Sequence, residues 1–88
     1  MLNLDQIKEI ENSVMHLCST YKTLSELQIH AEPLWLWTAH TLNISPDKLL
    51  TEIASHSTDE QFSDPYLEYK DHLLKLPVLL LEKYHRSH

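Results

Sequence analysis

The chain has 88 residues, a mass of 10.4 kDa and a formal charge of −6, from thirteen acidic against seven basic side chains. That length holds one domain, residues 1–88, with a modest core, and that charge repels nucleic-acid phosphates and anionic membrane surfaces, so a basic or amphipathic protein is the expected partner. One cysteine, Cys18, excludes a disulfide-stapled scaffold.

Glycine is absent, where average usage predicts about six residues. Tight hairpins lean on glycine or Asn-Gly, and none is written here, so an all-α fold of four to five helices is expected. The N-terminus, MLNLDQIKEIENS, lacks a basic segment followed by an apolar run, and Leu76 to Leu81 is far shorter than the about 20 residues of a membrane span. These features predict a soluble, cytoplasmic chain.

The first helix is expected over about residues 4–22. Ile7, Ile10, Val14, Leu17, Cys18 and Tyr21 recur at spacings of three and four, which draws one apolar stripe. Asn3 suits the N-cap and Gln6 the N3 position of a capping box. Cys18 lies on the stripe and reads as a small buried hydrophobe rather than a nucleophile.

Thr23-Leu24-Ser25-Glu26 repeats the capping signature and opens a second helix over about 24–31. Glu32 precedes Pro33 and is biased out of helical geometry, so a third helix is expected to begin at Pro33 and run to about Leu42. On it, Trp35 aligns with Ala39 and Leu42, whereas Trp37 points about 200° away, beside His40 and Thr41. Trp35 is therefore expected inward. Trp37, with Leu34, Leu36 and His40, is expected at a contact surface, since exposed tryptophan anchors protein interfaces.

Ser45 and Pro46 suit the N-cap and first turn of a fourth helix, about 46–54. The stretch from Thr38 to Ile53, with Ala39, a short turn and Ile44-Ser45 before an amphipathic segment, resembles a helix-turn-helix. It is also similar to the closing portion of Cro/repressor-type domains, where such a stretch has a packing role. The resemblance implies a DNA-binding regulator as an alternative function. Asn43 stands where that turn usually has glycine, and Lys48 is the one cation against Asp47 and Glu52, so nucleic acid is the less favoured partner.

His56 to Ser63 is polar apart from Phe62 and reads as a loop. Asp64 and Pro65 restart a helix over about 65–85, with a kink or break at Pro77. Four successive apolar residues, Val78, Leu79, Leu80 and Leu81, cover every direction around the axis. Val78, Leu79 and Leu80 are thus candidate interface residues, and a homodimer is expected because it adds core that so short a chain lacks.

Three of seven histidines follow a glutamate by one turn: Glu26 with His30, Glu52 with His56 and Glu68 with His72. Such pairs can share a metal between facing helices, and a metal-binding helical bundle is the third reading. Only Glu82 to His85 has the Glu-x-x-His spacing of di-metal bundles, so surface pairs are expected and no metal or cofactor is assigned. Without glycine there is no phosphate-cradling loop, and no catalytic constellation stands out. The expectation is a non-enzymatic, acidic protein–protein interaction module: a regulator, adaptor or inhibitor.

Overall fold

The computed structural model describes residues 2–56 and 63–87. Helices α1 (Leu4–Thr20), α2 (Leu24–Leu42), α3 (Pro46–His56) and α4 (Pro65–Ser87) form an all-α bundle, with no strand among the described residues. The Cα radius of gyration is 12.6 Å, near the about 12 Å of a folded chain this long.

Local chemistry sets most of the boundaries. The Asn3 side chain accepts from the Gln6 N–H at 2.9 Å, and Gln6 Oε1 accepts from the Asn3 N–H at 3.1 Å, completing the expected capping box. At α2, Thr23 Oγ1 accepts from the Glu26 N–H at 3.4 Å and donates to the Glu26 carboxylate at 2.8 Å. Ser45 Oγ accepts from the Lys48 N–H at 3.1 Å, and Asp64 Oδ1 from the Tyr66 N–H at 2.9 Å. Each of these last two caps is followed by a proline at the first helical position, where a missing N–H costs nothing.

Asn43 ends α2 in the left-handed region, φ 58° and ψ 43°. That twist lets the Ile44 N–H reach the Ala39 carbonyl at 3.0 Å and the Asn43 N–H reach His40 at 3.1 Å, a Schellman-type closure. In a chain without glycine, asparagine takes the conformation at the lowest remaining steric cost.

Three boundaries differ from expectation. The predicted helices over 24–31 and 33–42 are one: α2 runs through Pro33. Pro33 and Ile29, whose carbonyl loses its partner, both lie on the outer face, where water reaches the freed oxygen. Likewise α4 does not break at Pro77. A helix-interior proline costs about 3 kcal/mol, whereas burying each of Leu73, Leu76, Leu79 and Leu80 around it contributes about 1.5–3 kcal/mol, so tertiary packing wins. Helix α3 extends to His56, which belongs to the helix and not to the expected loop. Residues 57–62 of that loop lie outside the described residues, and Ser63 lies outside the helices as expected.

Helix α4 packs against α1, α2 and α3, most extensively against α1. Its buried leucines meet Ile7, Ile10, Val14 and Cys18 of α1, Leu27, Ala31 and Ala39 of α2, and Leu49 and Ile53 of α3 in one core. Hydrogen bonds from two side chains tie α4 to α1 and α2. Tyr66 Oη donates to the Tyr21 carbonyl at 2.8 Å, at the end of α1, and Trp35 Nε1 of α2 donates to Tyr69 Oη at 2.8 Å. Among the described residues no helix is long and apolar enough to cross a membrane.

Candidate interaction site

Apolar residues remain uncovered on two sides of α1. The first surface is built by α2, which has apolar side chains on its outer as well as its inner face. Leu27, Ala31, Thr38 and Ala39 are buried, while Ile29 keeps 68% and Leu36 50% of its surface exposed. Ile29, Pro33, Leu36 and His40 follow one another at spacings of four, three and four, so they form one exposed ridge. Pro33 also lines the groove between α1 and α2. There, two adjoining depressions of about 420 and 370 Å³ share Ser13, Pro33 and Leu34.

Trp37 borders this groove, facing Gln6, Glu9, Ile10 and Ser13 of α1. Its expected outward position is corrected: it is half-buried and packs against the core, because α1 lies along that side of α2. Trp35 is also half-buried, with its indole N–H bonded to Tyr69 and its ring tilted 46° to the tyrosine at 6.2 Å. Burial pushes the Tyr69 hydroxyl above its ordinary pKa, the Trp35 hydrogen bond pulls it down, and the Glu32 carboxylate adds a smaller upward push. Leu34 is half-buried in the groove, and His40 and Leu36 are exposed.

The second surface lies between α1 and α4. Ile7, Glu11, Val14 and Met15 face Leu74, Pro77, Val78 and Leu81 across a groove of about 280 Å³. Met15 is 58% and Val78 53% exposed. Leu79 and Leu80, expected at an interface, are fully consumed by the chain's own core, and the exposed pair of that run is Val78 and Leu81. Four consecutive apolar residues carry no periodicity to separate the two pairs. Ile29, Met15 and Leu74 are exposed beyond the expected surface; their signal is an apolar residue lying off its own helix's buried stripe.

The glutamate–histidine pairs do not act as units. His30 stacks on Tyr21 at 4.0 Å, while Glu26 serves the Thr23 cap. Glu52 reaches Lys83 at 3.8 Å, and His56 reaches Glu82 at 3.6 Å, so both contacts bridge α3 to α4. Glu82 also meets Arg86 at 2.7 Å, and His85 sits edge-on to Tyr84. Among the described residues no three histidine, cysteine or carboxylate side chains are grouped to hold a metal. Cys18 is buried; desolvation raises its thiol pKa against the pull of Lys70 and Lys22. Lys22 Nζ donates to the Cys18 carbonyl at 3.4 Å, at the end of α1, whereas Lys48 stands on the first turn of α3.

No protein-family model, no curated protein and no solved structure matches this chain.

Proposed function

We propose that this chain is a small acidic interaction module that regulates, adapts or inhibits a protein partner, which it binds through the outer ridge of α2 and the adjoining α1–α2 groove. The observation that carries the reading is the exposure of Ile29 and Leu36 on a helix whose opposite face is already buried. A helix apolar on both faces keeps one of them uncovered among the described residues, as a contact surface does.

Charge narrows the partner. Helix α2 carries Glu26 and Glu32 and no lysine or arginine, and Glu9 lines the groove. An apolar partner surface rimmed by lysine or arginine fits this rim, with the acidic charge steering the encounter and the ridge supplying affinity. A photo-crosslinker placed at position 36 captures that partner, and Leu36→Asp and Ile29→Asp variants weaken its co-purification about tenfold or more. Recovery of the same proteins in the same amounts from both variants, with helical content intact, refutes the assignment.

A further inference from the structure

The exposed face of α4 is separate from the α2 ridge, and its occupant can be argued from its own chemistry. Leu67, Leu74 and Leu81 recur every seven residues, and Val78 falls with them inside a sector of about 60° on the helical wheel. All four are exposed, so α4 presents an apolar seam to solvent along about four turns beyond the leucines it buries. Met15 of α1 widens the seam on one side, across the α1–α4 groove.

The seam is also charged in opposite senses at its two ends. Asp64 and Glu68 are exposed at the start of α4, and His85 and Arg86 at its end. Nearer the middle Lys75 is matched with Asp71 at 3.4 Å, while at the basic end Arg86 meets Glu82 of its own helix at 2.7 Å and keeps 68% of its side chain exposed. A surface that is apolar in the centre and of opposite sign at its ends is complementary to itself under a two-fold rotation. Rotation about a point between Leu74 and Val78 lays two copies of α4 antiparallel and sets the acidic start of each beside the basic end of the other. Parallel pairing sets like charge against like.

We propose that the α4 seam, with Met15 beside it, binds a second copy of this chain in that antiparallel arrangement. The dimer leaves the α2 ridge free, so it stands or falls independently of the partner-binding reading above. Each seam leucine inserts between those of the other helix, as in other helix pairs of heptad spacing.

Multi-angle light scattering and sedimentation equilibrium on the full chain, from low micromolar to submillimolar concentration, test this. The wild type is expected to reach twice the chain mass, Val78→Asp to weaken the dimer about tenfold or more, and Leu36→Asp to leave it unchanged. Glu68→Arg or Arg86→Glu alone weakens it, and the two together restore it, because the reversed charges meet across the two-fold axis. Circular dichroism confirms that each variant is folded, and the exposed Glu68→Arg carries the test should Val78→Asp unfold. A wild type that keeps the mass of one chain throughout assigns the seam to a different protein and overturns the proposal. Failure of the double reversal to restore the dimer overturns the antiparallel arrangement.

Discussion

Removing the Tyr69 hydroxyl tests how α2 is held to α4. In Tyr69→Phe the Trp35 indole N–H loses its 2.8 Å acceptor while both rings keep their packing. A half-buried donor left without a partner costs about 1 kcal/mol, toward the low end for such losses because water reaches part of the pair. For a chain of this size that lowers the thermal midpoint by about 4–8 °C. Trp35→Phe also loses the bond, together with part of the indole's buried area, and the double variant should cost less than the sum by about 1 kcal/mol, the coupling of the pair. Urea denaturation followed by far-ultraviolet circular dichroism reads all four proteins without relying on tryptophan emission. The same hydroxyl has a pH signature. Its pKa is raised in the fold above the ordinary 10.0, so its neutral form is favoured there. The stability it contributes is fully present below pH 10 and is lost as pH rises through the folded-state value. Tyr69→Phe should therefore lose less stability than the wild type above pH 10. A Tyr69→Phe midpoint equal to the wild type's at neutral pH refutes the role given to this bond, and an unchanged alkaline loss refutes burial as the cause of the raised pKa.

Substitutions at two further positions probe single features of the fold by the same denaturation assay. Thr38 is fully buried and its hydroxyl has no hydrogen-bond partner among the described residues, so Thr38→Val should raise stability by about 1 kcal/mol. Asn43→Ala places a residue with no local side-chain hydrogen bond in the left-handed region and should cost about 1 kcal/mol, whereas Asn43→Gly should hold or gain stability.

The features legible in the sequence are the local ones. Asn3 with Gln6, Thr23 with Glu26, Ser45 and Asp64 announce helix starts because a cap satisfies backbone groups within three residues of itself. The stripe of α1 is legible for the same reason: Ile7, Ile10, Val14 and Cys18 repeat at the helical period and are the residues buried. The course of the chain through the two prolines is not legible in the sequence because the outcome is tertiary. Pro33 is tolerated since its freed carbonyl faces water, and Pro77 since the leucines around it are worth more than the bond it removes. The exposed apolar faces are half legible. Val78 and Leu36 are exposed as expected, but the fate of Trp37 depends on where α1 lies, and that of Leu79 and Leu80 on which side of α4 its neighbours occupy.

Helix α4 touches each of the other three helices, while α1 and α3 do not touch one another. It also follows the other three described helices in sequence. On the ribosome, then, α1, α2 and α3 emerge with Leu27, Leu49 and Ile53 still lacking the cover that α4 supplies, and cooperative closure waits for the leucines of α4. Nascent chains ending before Leu73 should be protease-sensitive, and a stall there should expose apolar surface to chaperones. The order in which the helices are made leaves this bundle vulnerable until its keystone arrives.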